Sequence, residues 1–267
     1  MTHPLDIATQ LTERAPGHSQ GRIPKTYANM VGPFGGTIAA VLINAVLKHP
    51  ELLGEPVALT VNFAGPIADA DFEIHARASR TNRSTQHWTL ELVQDGEIAI
   101  TATAMTAVRR PSWSSQELSM PAVPSADEIK INHFPGVTPW VANYELRFTD
   151  GLLTMNTAHA SDSSLSRLWV RDTPERALDY VSLTSLSDVF FPRLFIRKQQ
   201  PMPAGTVSMT LYYHADAELL AAQGTEPLLA QARANQFFNG YADQSAELFT
   251  RDGHLLVTTS QLVYYKA

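Results

Sequence analysis

Hydrophobic residues recur with helical spacing in two segments of the chain, residues 31–50 and residues 180–195. The first segment opens on Gly35-Gly36 and ends at Lys48-His49-Pro50, in the order that start and stop signals take in a helix. In the second, apolar residues three and four positions apart predict an amphipathic helix that Pro192 ends or kinks. A helix that is apolar on most of its circumference is usually buried, so we predict two core helices.

Asp188 is the only charged residue between Val181 and Phe191, within the second predicted helix. An ionised carboxylate is rarely buried unless it is paired. One interpretation is a polar residue that caps or kinks the end of the helix. The other is a general base that faces a cleft, and both interpretations stay open at this point.

Strand patterns follow each predicted helix. Asp95-Gly96 joins two of them and predicts a hairpin, because both turn positions need a positive φ. The predicted strands are 57–63, 72–80, 86–94 and 98–109 in the first half, and 144–148, 165–171, 207–214, 228–238, 245–250 and 255–265 in the second half.

The second half of the chain repeats the first. Residues 91–104 parallel residues 247–261, with one residue inserted before the Asp-Gly turn, and self-similarity on this scale indicates a duplicated unit. Prolines and serines fill the stretch between the halves and favour an extended linker. We predict an N-terminal unit at 1–110, a linker at 111–139 and a C-terminal unit at 140–267. Each unit is a helix followed by a meander of strands, and pairing the two units hides their edge strands in one α+β sheet.

Composition argues against several classes of function. The formal net charge of −6 and the lack of clustered Lys and Arg predict no nucleic-acid partner and no membrane partner. The absence of cysteine excludes disulfides, thiolate catalysis and zinc held by cysteine. The nine histidines lack metal-binding spacing, so we expect neither a metal nor another cofactor. With no secretory signal and no apolar run long enough to span a bilayer, we expect a cytoplasmic protein.

Residues 17–21 read Gly-His-Ser-Gln-Gly, a literal G-x-S-x-G motif. This motif marks a serine hydrolase only where a strand leads into it and a helix leaves it. The preceding residues are polar and predict no strand, and Pro24 blocks a following helix. We therefore do not expect Ser19 to act as a nucleophile.

The motifs taken together resemble the double hotdog acyl-CoA thioesterases of the TesB-like class, over about residues 27–266. Five motifs carry the resemblance in order: Phe34-Gly35-Gly36, Asn82-Arg83-Ser84 with the block 90–98, Leu186-Ser187-Asp188 with Pro192, the strand 206–214 that ends on His214, and Thr259-Ser260-Gln261. The resemblance implies a tandem hotdog fold, in which two long helices are each wrapped by an antiparallel sheet and the two sheets are joined into one. It also implies hydrolysis of acyl-CoA without a metal or a covalent serine, and a homo-oligomer.

The functional Asp, Thr and Gln of that family would fall on Asp188, Thr206 and Gln261. Chemically, a carboxylate can act as the base on a water, while a hydroxyl and an amide hold that water in place. Ser208 and Thr210 alternate with Thr206 and compete for the hydroxyl role, because alternate strand residues share a face. In the first half, the counterpart of Gln261 is Ala104, so only the second half carries the full set.

Substrate contacts are predicted at three further residues. Free N–H groups of Gly35 and Gly36 at the start of the first helix could bind the thioester oxygen, although these glycines could equally serve helix–sheet packing. Arg83, near a strand end, could meet the phosphates of coenzyme A, or it could lie in a solvated loop.

Two other functions stay open. A hotdog enoyl-CoA hydratase or dehydratase normally pairs its carboxylate with a histidine, but the position five residues after Asp188 is Arg193, and His133 lies in the predicted linker. A non-catalytic protein that binds acyl-CoA is the second alternative.

Overall fold

The computed structural model describes residues 2–266, which fold around one antiparallel sheet. Its helices are α1 Pro4–Ala8, α2 Gly35–Leu47, α3 Tyr180–Leu186, α4 Arg193–Lys198 and α5 Ala217–Gln223. Its strands are β1 Leu11–Ala15, β2 His18–Gly21, β3 Glu55–Phe63, β4 Phe72–Thr81, β5 Thr85–Gln94, β6 Glu97–Ala107, β7 Tyr144–Asp150, β8 Ser166–Asp172, β9 Ala204–Tyr213, β10 Leu228–Arg233, β11 Phe237–Phe238, β12 Tyr241–Phe249 and β13 Leu255–Tyr265.

The strand order has an internal two-fold pattern. It runs β1-β2-β4-β5-β6-β3-β9-β13-β12-β10-β8-β7, with β11 attached to β12. Outward from the central β3–β9 pair, each half has the same succession of strands, so β3 corresponds to β9, β6 to β13 and β5 to β12. The duplicated α+β fold is therefore confirmed: two hotdog units share a single sheet through β3 and β9.

The first helix lies against the second unit's helix in the core. Every residue of α2 from Gly36 to Val46 is buried. A Cβ atom at Gly36 would lie 2.5 Å from the backbone oxygen of Ser185 in α3 and 2.6 Å from the Phe34 ring. Because two helices cannot approach this closely with a side chain between them, the glycine at position 36 fixes how α2 packs on α3.

We expect Gly36→Ala to lower the free energy of unfolding by about 3 kcal/mol, since inserting a methyl group into a packed backbone contact forces the helices apart. Gly205→Ala is the matched control, because a Cβ atom there meets no atom within 4 Å, and its effect should stay within about 0.5 kcal/mol. Urea unfolding of both variants measures the difference. Equal stability of the two variants would contradict the packing role.

The predicted helix in residues 180–195, which Pro192 was expected to end or kink, already ends before that proline. α3 ends at Leu186, residues 187–192 are irregular, and α4 begins at Arg193. Hydroxyl groups in α3 donate back to its own carbonyls, as in Thr184 Oγ1 to Tyr180 O at 2.6 Å, and such bonds compete with a regular helix. Pro192 also disfavours helical backbone at the residue before it. Asp188 consequently lies in the turn after α3 rather than in the middle of a helix.

The polar N-terminal segment contains structure that the sequence pattern did not predict. β1 and β2 form a hairpin that pairs with β4 and occupies the place that β7 and β8 occupy in the other half. Eight of its nine residues are partly or fully exposed, so no hydrophobic alternation marks it. The predicted strand 228–238 is likewise divided, because β10 ends at Arg233 and β11 pairs separately with β12.

The predicted linker crosses the outer face of the second unit. Trp169 Nε1 of β8 donates to Pro124 O at 2.9 Å, and Ala126 packs with Trp169 and Leu229. The boundaries at residues 110 and 139 stay a prediction. None of the helices formed by residues 2–266 has the length and apolar character needed to cross a membrane.

Candidate active site

Asp188 lies in the turn between α3 and α4, directly beside the N-terminus of α2. Its side chain is buried, with 8% of the residue surface exposed. A Cβ atom at Gly35 would lie 2.8 Å from the Asp188 Oδ2 atom, so this first residue of α2 has to be a glycine for the carboxylate to approach the helix. The Asp188 carboxylate therefore occupies the contact between the two units.

Asp188 is the end of a hydrogen-bond chain that includes the other two predicted site residues. Thr206 Oγ1 donates to Gln261 Oε1 at 3.2 Å, and Gln261 Nε2 donates to Asp188 Oδ1 at 2.7 Å. Gln261 is buried on the inner face of β13. The structure thus brings Asp188, Thr206 and Gln261 together.

A β-bulge decides which hydroxyl joins this chain. The β9–β13 register is regular from Val257 to Leu262 and then shifts by one residue, so that Val207 has no partner on β13. An extra residue in a strand turns the residues beyond it to the opposite face. Thr206 therefore faces inward, whereas Thr210 bonds Thr60 on the neighbouring strand at 3.0 Å. The expectation that Thr206 and Thr210 share a face was wrong.

Burial raises the pKa of Asp188 from its ordinary value of 3.8 to about 7. Hydrogen bonds from the Gln261 amide and from the backbone N–H of Gly36 stabilise the ionised form and lower this pKa in part. No charged side chain in the described part of the chain contributes to the shift. A carboxylate with a pKa near 7 is suited to accept a proton from water at neutral pH.

Two cavities meet at this carboxylate. The first has a volume of about 420 Å³ and is lined mainly by apolar groups, among them Phe34, Trp140, Phe190, Phe191 and Phe195. The second has a volume of about 360 Å³ and is lined by Gly35, Phe63 and the segment 64–67. Asp188 and Thr206 line both cavities, so their polar atoms lie at the junction.

Arg83 is not brought together with these residues. It is exposed in the turn between β4 and β5, and neighbouring Gln86 bonds to the segment 51–53 that follows the C-terminus of α2. Asp188 lies at the opposite end of α2, about 20 Å away at 1.5 Å per helical residue. Arg83 lines neither cavity, and its contact with the phosphates of coenzyme A stays a prediction.

The G-x-S-x-G motif lies on the outer strands instead of at the site. Ser19 belongs to β2, which follows a tight turn at Gly17 and is followed only by a single 3₁₀ turn at Lys25–Tyr27 instead of an α-helix. His18, Glu73 and His75 form the one group of potential metal ligands found in residues 2–266, and they lie on β2 and β4. None of these four residues lines either cavity at Asp188.

Gln244 is a site residue that sequence reasoning missed. It is buried on β12 directly opposite Gln261 and lines the apolar cavity. The repeat gave an indirect signal, because the same cross-strand position in the first half pairs Trp88 with Ala104. A polar pair in one copy and an apolar pair in the other marks the copy that carries the polar site.

Sequence profiles identify both halves of the chain. The profile of the acyl-CoA thioesterase N-terminal domain matches residues 24–108, and the profile of the C-terminal domain matches residues 115–265. The chain belongs to the acyl-CoA thioesterase family. It is accordingly a thioester hydrolase, as its resemblance to the TesB-like class predicted.

Solved structures agree with the fold of this thioesterase. A hot dog protein of unknown function from Alicyclobacillus acidocaldarius is 45% identical, with 100% of this chain and 99% of that chain covered and a TM-score of 0.96. The tesB protein of Mycobacterium avium subspecies paratuberculosis is 15% identical over 98% of each chain, with a TM-score of 0.79. An acyl-CoA thioesterase II from Mycobacterium marinum is 16% identical over 98% of each chain, with a TM-score of 0.77. The comparison with curated proteins gave no match.

The first half of the chain lacks the counterpart of this polar cluster. In the first half Ala104 replaces Gln261, and the Trp88 side chain is 1% exposed and donates to Thr106. α2 carries Asn44 but no acid, and the Asn44 amide donates to Thr9 O at 2.7 Å. The space that corresponds to the site in the second half is thus filled by an indole ring.

Proposed function

We propose that the protein hydrolyses acyl-CoA thioesters by general-base catalysis, with Asp188 as the base. The observation that carries this proposal is a buried carboxylate, with its pKa raised to about 7, at the junction of two cavities. An oxygen of this carboxylate is within reach of any group bound at the junction. Asp188 therefore has the pKa and the position that a base acting on water requires.

Thr206 and Asp188 hold the attacking water. Gln261 uses its oxygen for Thr206 and its nitrogen for Asp188. Thr206 donates its only hydroxyl proton to Gln261, so its oxygen can only accept a hydrogen bond from water. Asp188 Oδ2 accepts the second proton of the same water. The water oxygen attacks the thioester carbon and its proton passes to Asp188. The C–S bond then breaks, the proton passes from Asp188 to the departing sulfur, and coenzyme A and the acid are released.

The N-terminus of α2 polarises the thioester oxygen. The N–H of Gly36 already contacts the Asp188 carboxylate, which makes it unsuitable for the oxyanion role expected of it from the sequence. Gly35 precedes it in the helix and lines the second cavity together with Asp188. We assign the oxyanion contact to the Gly35 N–H, where the helix end favours negative charge.

The two cavities suit the two arms of an acyl-CoA. The aromatic walls of the first cavity favour an acyl chain, because apolar groups leave water for an apolar lining. The second cavity passes Gly35 and the backbone of residues 64–67, and it suits the amide-containing arm of coenzyme A. A thioester bound this way has its carbonyl group at Asp188.

The hydratase or dehydratase alternative receives no support at this site. That chemistry pairs a carboxylate with a histidine, and no histidine of the described residues lines either cavity. Arg193 is buried, with its guanidinium bonded to Gln244 and to backbone carbonyls. His133 lines an adjoining cavity, formed mostly by residues 131–145, that does not include Asp188.

A panel of acyl-CoA substrates of increasing length tests the proposed function by release of free thiol. We expect turnover by the purified protein, no interconversion of enoyl-CoA and hydroxyacyl-CoA, and an unchanged rate in Ser19→Ala because Ser19 lies away from the cavities. Binding of acyl-CoA without thiol release would favour the binding-protein alternative. Loss of activity in Ser19→Ala would favour a serine hydrolase.

A homo-oligomer and a cytoplasmic location stay predictions from the resemblance and the composition. Light scattering on the purified protein tests the first, and a mass of 29.4 kDa in solution would contradict it.

A further inference from the structure

We propose that Gln244 makes the acyl cavity selective for acyl groups that carry a hydrogen-bond-accepting oxygen close to the thioester, as 3-oxoacyl groups do. This inference rests on the proposed function and adds a specificity-determining residue to it. The Gln244 amide would donate to that oxygen from the wall of the apolar cavity.

The orientation of the Gln244 amide is fixed by its neighbour. Arg193 Nε donates to Gln244 Oε1 at 2.9 Å. A guanidinium has no acceptor, so the atom that faces it must be the amide oxygen and the NH₂ group must point elsewhere. Gln244 is 2% exposed and lines the cavity, and no hydrogen bond leaves its nitrogen within residues 2–266.

Arg193 is itself buried and bonds both to Gln244 and to the backbone around it. It is 2% exposed and forms no salt bridge with a carboxylate of the described residues. Its other donors go to the backbone oxygens of Ser164, Ala232 and Phe191. Burying an ion costs several kcal/mol, and well-packed apolar residues in its place would often be more stable. The bonded guanidinium in this way holds the Gln244 oxygen in place.

The position of Gln244 assigns it to the acyl arm of the substrate. Gln244 lines the aromatic cavity and does not line the cavity that contains Gly35, whereas Asp188 lines both. It is the direct cross-strand partner of Gln261, and such partners have Cβ atoms about 5 Å apart. Because Gln261 bonds to Asp188, a donor on the neighbouring Gln244 side chain is placed to meet the first few carbons of an acyl chain whose carbonyl lies at Asp188.

The remaining wall of the cavity explains why one amide decides specificity. Beyond Asp188, Thr206 and Gln261, which bond to one another, most of its lining side chains are apolar, among them Phe190, Phe195 and Val263. A saturated chain displaces water from the Gln244 NH₂ group and offers no acceptor in return, which leaves a buried donor unpaired. Sites built to bond a polar group discriminate strongly against analogues that lack it.

The test compares kcat/KM for 3-oxohexanoyl-CoA and hexanoyl-CoA in the parent protein and in Gln244→Met. Methionine has a similar length but no donor. We expect the 3-oxo to saturated ratio to fall at least tenfold in Gln244→Met, and to change less than threefold in the control Leu153→Met, which alters an apolar part of the same wall. Dividing the 3-oxo to saturated ratio of the variant by that of the parent cancels the difference in intrinsic reactivity between the two thioesters.

An unchanged ratio in Gln244→Met would overturn the proposal. Should that variant fail to fold, inhibition of the parent by free 3-oxohexanoate and hexanoate replaces it, and equal inhibition constants would overturn the proposal as well. Lack of thiol release from every acyl-CoA would instead refute the proposed function, so the two failures are distinguishable.

Discussion

The Asp188→Asn variant should release thiol from acyl-CoA about 10³-fold more slowly than the parent protein while still binding the substrate. An asparagine keeps the size of the side chain and can accept the Gln261 hydrogen bond, but it cannot take a proton from water. Loss of a general base costs about 10²- to 10⁴-fold in rate. Thiol release measures the rate, and calorimetric titration with acyl-CoA measures the binding. A rate within tenfold of the parent would remove Asp188 from the mechanism.

The same variant should alter the pH dependence of stability. The pKa of Asp188 is about 7 in the folded state and ordinarily 3.8, so between these values the folded state binds the proton and the unfolded state does not. The parent therefore loses stability as pH rises from about 4 to about 7, by up to about 4 kcal/mol at 1.36 kcal/mol per pKa unit. Asp188→Asn has no titrating group at this position and therefore lacks this pH-dependent loss of stability.

We expect the stability of Asp188→Asn relative to the parent to increase over that pH range and to level off above it. The gain in stability at high pH is reduced because the Asn NH₂ group faces the N–H of Gly36, and two hydrogen-bond donors repel each other. Urea unfolding at pH 4.5 and pH 8 measures the change. A stability difference that is the same at both pH values would contradict the raised pKa.

The Gln261→Met variant should lose about 10- to 100-fold in rate at pH 7. The Gln261 amide donates to the Asp188 carboxylate at 2.7 Å, and a hydrogen bond to a charged group is worth about 1.5–3 kcal/mol. Without it the pKa of Asp188 rises further, so a smaller fraction of the enzyme is ionised. We expect part of the rate to return at pH 9.

Gln231→Met is the matched control for this variant. Gln231 is also a buried glutamine that donates to a carboxylate, Glu247 Oε2 at 3.0 Å, but it lines neither cavity. Its rate should stay within threefold of the parent across the pH range. An equal loss in both variants would mean that Gln261 acts through stability rather than through Asp188.

The sequence pattern predicted the duplication and identified the acid, but it did not predict the local geometry of the site. The 91–104 and 247–261 repeat predicted the shared sheet, and a lone charge in an apolar segment identified Asp188. The choice among Thr206, Ser208 and Thr210 depends on a bulge at Val207, and strand alternation contains no signal for a single inserted residue. Only the resemblance to the TesB-like thioesterases pointed to Thr206, because strand alternation did not distinguish it from Ser208 and Thr210.

Two other features depend on contacts between distant segments. The break after Leu186 follows from hydroxyl groups that bond to the helix's own backbone, which helical spacing alone does not register. The role of Gly36 depends on the Ser185 oxygen in the other unit, 149 residues away in sequence. Hydrophobic patterns predict which faces are buried, but they do not give the distance between two buried faces.

The pH dependence of kcat/KM for thiol release tests most directly whether a buried carboxylate with a raised pKa acts as the base. We predict that in the parent the logarithm of kcat/KM rises with unit slope from pH 5, bends near pH 7 and is level to pH 9, since only the ionised Asp188 can act. The residual activity of Asp188→Asn should lack the bend. A level profile in the parent, or the same bend in Asp188→Asn, would contradict the account.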